Sequence, residues 1–295
     1  MDQAERLRNM IRDNDLQPEQ ERTAKVIAVT SGKGGVGKSS LTVNLAVQLS
    51  RLGKRVLIFD ADFGLANIEI MLGIRPKYTL ADLMYRGKTV RDVVTDGPED
   101  IGFISGGSGI HELANLTREQ VFSLIRKLDD LDRVADVIIV DTGAGVNDTV
   151  LDFVAASEEI LLVATPEPTS ITDAYALMKL LNRKAAYQPN QTVVKMVANQ
   201  VREEWEAAEL FEKLGVVARK FLDIEVEFLG TVPYDRNMQR AVMRQAPISI
   251  SHPTADCAKA LRRIALSLDD QSIEKEKHVG IAKLFSSVIR MRFMK

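Results

Sequence analysis

Gly32-Lys33-Gly34-Gly35-Val36-Gly37-Lys38-Ser39 is the stretch that decides how this chain folds. It satisfies G-x-x-x-x-G-K-[ST] and stands between an apolar run at 26–30 and an amphipathic segment at 39–52, the strand–loop–helix setting that gives the motif its meaning. Gly32, Gly34, Gly35 and Gly37 let successive backbone N–H groups turn inward around phosphate oxygens, where side chains would block the approach. A helix starting near Lys38 adds its partial positive charge. Lys38 is expected on the β- and γ-phosphates and the Ser39 hydroxyl in a Mg²⁺ shell, with the run from Gly32 through Val36 to Ser40 lining the nucleotide. A chance glycine turn would not bring the motif and both its flanks together.

Outward from this loop the chain alternates. Apolar runs at 26–30, 55–60, 101–105, 136–141, 159–165, 193–199 and 227–232 are short, rich in Val, Ile and Leu, and lack the in–out alternation of a half-exposed strand. Such runs are strands covered on both faces, as in a parallel sheet. Helical patterns at 39–52, 117–131, 171–187, 203–221, 237–245 and 254–268 fall between and after them. The expected fold is α/β, a doubly wound and mostly parallel sheet of the P-loop NTPase type.

Composition narrows the function classes. Lys and Arg number 39 against 41 Asp and Glu, a formal charge of −2, so no global basic field points to nucleic acid. A single cysteine, Cys257, excludes an internal disulfide framework and a cysteine-built zinc site. No apolar leader follows Met1 and no run approaches a membrane span, so a cytoplasmic protein with at most peripheral membrane contact is expected. Residues 1–22 read as a charged arm, 23–268 as the nucleotide domain, 269–278 as a linker and 279–295 as a C-terminal helix. In that helix Ile281, Leu284, Phe285, Val288 and Ile289 form an apolar face beside Lys283, Arg290, Arg292 and Lys295.

Lys33, directly after the first glycine, has no task in an ordinary phosphate loop. With it the loop resembles the deviant Walker A motif of the MinD/ParA family. That resemblance implies an ATPase that buries two ATP molecules between two subunits, with Lys33 reaching across to the partner's nucleotide and counted with Lys38 among the catalytic residues. After the strand-end Asp60, Ala61-Asp62-Phe63-Gly64-Leu65-Ala66-Asn67 is similar to the family's switch I, which implies that Asp62 polarises the attacking water and Asp60 belongs to the outer Mg²⁺ shell. Asp141-Thr142-Gly143-Ala144-Gly145 is similar to its Walker B and switch II, with Asp141 toward the metal and Gly143 where many relatives carry proline. The strand-end Asn199-Gln200-Val201-Arg202 has neither the Lys nor the Asp that would read guanine. Asn199, with backbone around Pro233 and Asp235, then suits adenine, and ATP or ADP is the expected nucleotide.

The two ends narrow the resemblance to the flagellar FlhG branch (FleN, YlxH). Asp2-Gln3-Ala4-Glu5-Arg6-Leu7-Arg8 resembles that branch's arm, which implies that Gln3, Leu7 and Arg8 engage an FlhF-type GTPase and stimulate it. The C-terminal helix resembles a membrane-targeting sequence for the inner face of the cell membrane, which one short helix binds only weakly and two in a dimer bind better. Control of flagellar number or placement, with basal-body components as further partners, is the expected task. A MinD-type division-site regulator is the nearest alternative, disfavoured by the polar arm. A ParA-type DNA-partitioning ATPase would need a basic DNA surface, and a metabolic P-loop ligase would show substrate-saturable turnover; nucleic acid is not an expected partner.

Overall fold

The computed structural model describes residues 23–62, 67–106, 117–184, 187–188, 192–222, 224–270 and 280–293. The strands are β1 (Lys25–Thr30), β2 (Val56–Ala61), β3 (Thr95–Asp96), β4 (Gly102–Ser105), β5 (Val137–Thr142), β6 (Glu159–Ala164), β7 (Val193–Val201) and β8 (Val226–Pro233). They form one sheet in the order β3-β4-β2-β5-β1-β6-β7-β8. Every pairing is parallel except β3 with β4 at one edge. The carboxyl ends of the long strands therefore lie along one rim, where α/β sheets of this kind bind ligands.

The helices are α1 (Lys38–Arg51), α2 (Asn67–Leu72), α3 (Leu80–Tyr85), α4 (Val90–Val93), α5 (Arg118–Val134), α6 (Asp148–Ala156), α7 (Pro168–Leu181), α8 (Glu204–Leu222), α9 (Arg236–Met243), α10 (Ile248–Ser251), α11 (Asp256–Asp270) and α12 (Gly280–Phe293). Period-2 alternation within each buried strand sends its side chains into two cores. Ile27, Ile58 and Ile139 meet α1, α9 and α11 on one side, whereas Val26, Phe59 and Ile138 meet α5 and α12 on the other. Across the sheet's amino-terminal ends, Glu159 is buried between Lys25 (2.9 Å) and Lys195 (2.8 Å), tying β1, β6 and β7 together.

Seven of the eight strands stand where the apolar runs place them. The eighth, β3, has two residues and no apolar signature. Helix α7 begins at Pro168 rather than 171, because proline's missing N–H costs nothing in a first turn. Helix α11 runs to Asp270, two residues into the stretch read as linker, and 271–279 lie outside the described residues. So do the arm at 1–22, with Gln3, Leu7 and Arg8, and residues 63–66 of switch I.

The C-terminal helix is docked on its own domain. Ile281, Leu284, Phe285, Val288 and Ile289, read as a face for lipid, are each exposed by 2% or less. Phe285 sits edge-on to Phe59 (5.2 Å between ring centroids) and to Phe153 (5.3 Å), so α12 completes the core between α5 and α6. Asp132 of α5 accepts hydrogen bonds from the N–H groups of Ile281 (2.7 Å) and Ala282 (3.3 Å), satisfying donors at the helix start that have no intrahelical partner. Gly280 is required there: its φ is 73°, and a Cβ would fall 2.4 Å from Asp132 Oδ2. The apolar stripe read from the sequence is real, and in this conformation it shelters on its own domain.

Candidate nucleotide and catalytic site

Register alone brings the acidic residues together. β2 and β5 pair with Asp60 opposite Asp141, and β1 pairs on the other side with Val29 opposite Asp141. The loop leaving β1 thus wraps the rim beside two strand-end carboxylates. Gly37 caps α1 with φ 94°, offers no side chain to the first-turn N–H groups, and leaves them for an anion. A Cβ on Gly37 would lie 2.4 Å from Asn199 Nδ2, and one on Gly32 would collide with the backbone of Asp173 on α7. Only glycine fits either position. Lys38 is buried, Ser31 Oγ donates to Lys33 O (2.8 Å), and Ser40 accepts at its carbonyl from Asn44 Nδ2 (2.8 Å), which holds the loop's two ends.

The carboxylates are crowded. Asp141 is fully buried and accepts from Thr42 Oγ1 at 2.9 Å, while its Oδ2 has no partner among the described residues. Burial pushes its carboxyl up to about 6, against the opposing pull of Ser39 and Lys38. Asp60 accepts from the N–H groups of Asp62 (3.0 Å) and Ile68 (3.4 Å), yet burial and the charge of Asp141 push it up to about 8. Two buried acids with an orphaned oxygen, beside a serine hydroxyl, are what a hard divalent cation satisfies. The residues Ser39, Asp60 and Asp141 fit Mg²⁺.

Asp62 stands at the rim beside them. Its Oδ2 accepts from Asn67 Nδ2 (2.9 Å) at the start of α2, and a Cβ on Gly143 would lie 3.3 Å from its Oδ1. Gly143 therefore leaves space for the Asp62 carboxylate against switch II. The strand ends expected at the base are tied to the phosphate loop and to each other. Asn199 Nδ2 donates to Val36 O (2.7 Å), and Gln200, held at φ 59°, donates from Nε2 to Gly35 O (3.2 Å). Pro233 ends β8 and Tyr234 N–H donates to Val201 O (2.8 Å), joining the two base-side loops. The Asp235 carboxylate is already committed to capping α9 through Asn237 N–H (2.8 Å) and to the Cys257 thiol (3.4 Å), so only its backbone remains for a base.

Lys33 points away from its own loop. Its amino group donates to Glu167 Oε2 (2.7 Å) and Thr169 Oγ1 (2.8 Å), both at the start of α7. Every described residue expected from the sequence at the phosphates, the metal and the base is thus on one rim; the five residues of α12 are not. Thr42, Glu167 and Thr169 join the site without having been singled out, and Asn67 and Gln200 stood inside the quoted motifs without a role of their own. Of the first three, Thr42 carried a signal, standing one helical turn after Lys38.

Comparison with known proteins places the chain among its relatives. The family model described as ParA, NUBPL iron-transfer P-loop NTPase, matches residues 22–269. The antiactivator FleN of Pseudomonas aeruginosa is 42% identical over 245 residues, covering 83% of this chain and 86% of that protein. The flagellum site-determining protein YlxH of Helicobacter pylori is 29% identical over 293 residues, covering 98% of this chain and 93% of that protein. In three dimensions, MinD of Pyrococcus horikoshii complexed with Mg-ADP superposes with a TM-score of 0.66 at 22% identity, over 86% of this chain and all of that one (100%). The chain belongs to the ParA/MinD family of P-loop ATPases.

Proposed function

We propose that this ATPase is a switch: ATP joins two copies face to face, and hydrolysis separates them. The observation that carries the reading is Lys33, a loop lysine whose amino group lies outside its own phosphate cradle on a half-exposed contact. In the joined state Lys33 reaches the partner's phosphates, while Lys38 and the first-turn N–H groups of α1 hold the chain's own. Asp62, oriented by Asn67, takes the attacking water at a carboxylate oxygen. Ser39, Asp60 and Asp141 would hold Mg²⁺, which would neutralise phosphate charge there. Asn199 and the backbone at Pro233 and Asp235 hold adenine.

Its task in this reading is control of flagellar number or placement. The support is the likeness to FleN and YlxH, proteins named as an antiactivator and as a flagellum site-determining protein. The arm, through Gln3, Leu7 and Arg8, stimulates an FlhF-type GTPase. Basal-body components are its further partners, and α12 exchanges its place in the core for the anionic inner face of the cell membrane. Light scattering on the sized protein tests the switch. A dimer with a non-hydrolysable ATP analogue and a monomer with ADP are expected, and a monomer with both would overturn the reading.

A further inference from the structure

Arg236, Arg240 and Arg244 recur every four residues along α9 and its carboxyl cap, so successive guanidiniums rise about 6 Å apart on one side of the helix. All three are exposed. None of the three guanidiniums makes an ion pair or hydrogen bond with a described residue, in contrast to those of Arg51, Arg55 and Arg86, which each hold a carboxylate. Residues 236–255 contain no Asp or Glu, in a chain whose formal charge is −2. Among these arginines stands Met243, 86% exposed, with Val242 (37%) beside it. Met238 and Val242 also meet Met71 of α2 in a shallow apolar cleft.

We propose that the outer face of α9 is a docking surface for an acidic, amphipathic protein segment. Arg236, Arg240 and Arg244 take its carboxylates, and Met243 takes its apolar anchor. Arginine's planar fork binds a carboxylate through two parallel N–H bonds, and unpaired arginines keep those donors open. Arginine and methionine are both enriched at protein interfaces, where methionine adapts to varied apolar shapes. A nucleic-acid backbone would leave Met243 and Val242 facing phosphates with nothing apolar to cover them.

The test uses the full chain and two fluorescent probes: a helix-forming peptide of Glu, Ala and Leu with its leucines at helical spacing, and a mixed-sequence DNA duplex. The peptide should bind by anisotropy, more weakly as salt rises. Arg240→Glu/Arg244→Glu should weaken it by about ten-fold or more, with a smaller loss in Met243→Ser. Arg240→Gln/Arg244→Gln keeps side-chain size and should also lose peptide, which separates lost recognition from lost folding. Unchanged thermal unfolding and ATP affinity confirm that the variants fold. Three results would overturn the proposal: no peptide binding by the unmodified chain, equal binding by the variants, or preferential binding of the duplex lost in the same variants. The last would make the face a nucleic-acid surface.

Discussion

Lys33 Nζ lies 2.7 Å from Glu167 Oε2, an ion pair that spans 134 residues of sequence and holds the loop's additional lysine on its own chain. To reach a second nucleotide Lys33 must leave this partner. The pair is half-exposed on one side and more so on the other, and such pairs contribute only about 0–1 kcal/mol. The contact therefore competes with dimerisation without preventing it. Glu167→Gln removes this competitor from both subunits and should strengthen ATP-dependent dimerisation by at most about thirty-fold, the equivalent of about 2 kcal/mol for the two pairs. Lys33→Ala should keep ATP binding and lose both dimer and hydrolysis. Sedimentation of the two variants decides: a Lys33→Ala dimer of unchanged strength removes the cross-subunit role.

Asp62 and Lys38 should fail differently. On the proposed mechanism Asp62→Ala deletes the group that takes the water while leaving the phosphate cradle, so ATP should bind and hydrolysis should fall by about a hundred-fold or more. Asn67→Ala releases the Asp62 carboxylate and should fall part of the way. Lys38→Ala removes a buried cation from the phosphates, and ATP affinity itself should fall. Single-turnover hydrolysis beside equilibrium ATP binding separates the two classes. Normal affinity in Lys38→Ala would contradict the phosphate site.

How much of this was legible can be read from the same residues. The strand runs and Gly32–Ser39 declare themselves because doubly covered strands and a phosphate loop each constrain consecutive residues. Asp60 and Asp141 declare themselves as strand-end acids. Glu167, Asn67 and Gln200 do not, since each acts through one hydrogen bond set by tertiary register rather than by local pattern. The stripe of α12 was legible as apolar, but a helical period gives no information about which apolar partner it meets. Its partner is set by Phe59, Phe153 and the carboxylate of Asp132, far away in sequence.

The arm makes a separate claim. A peptide covering residues 1–21 should stimulate GTP hydrolysis by an FlhF-type GTPase, and Gln3→Ala should abolish the effect. Steady-state GTP turnover measures it. Equal stimulation by protein lacking the arm would remove the arm from the mechanism.

Asp132 should make the docking of α12 depend on pH. Burial outweighs the N–H groups of Ile281 and Ala282 and pushes its carboxyl up to about 6, with Asp129 pushing the same way and Ala24 N–H opposing. The folded state then binds this proton more tightly than the unfolded chain does. Its contribution to stability is full below the ordinary carboxylate range, near 4, and is lost as pH rises through about 6. Asp60 and Asp141 titrate in the same direction, so the measurement is a difference. The thermal midpoint of the parent relative to Asp132→Asn should be higher at pH 5 than at pH 8. A difference that does not vary with pH would deny Asp132 this role.

The tail combines these energies. Ile281, Leu284, Phe285, Val288 and Ile289 are fully buried, and exposing one such side chain to water costs roughly 1.5–3 kcal/mol. Five together approach the whole stability of a domain, about 5–15 kcal/mol, so α12 does not leave the core for water. It can leave only by exchange, when lipid receives the same face. Lys283 and Arg290 are exposed while the helix is docked and already present charge to anionic headgroups. A dimer brings two such helices to one bilayer, and the first insertion raises the local concentration of the second. Sedimentation with anionic vesicles should therefore show strong binding with a non-hydrolysable ATP analogue, weak binding with ADP, and loss of both at high salt. Phe285→Glu places a charge between Phe59 and Phe153 and should damage the fold as well as lipid binding. Lys283→Glu/Arg290→Glu leaves the core intact and is the cleaner variant: its folding should be unchanged and its vesicle binding should fall. Equal binding in both nucleotide states would break the link between dimer and membrane, and full binding by a chain lacking 279–295 would remove α12 from the membrane altogether.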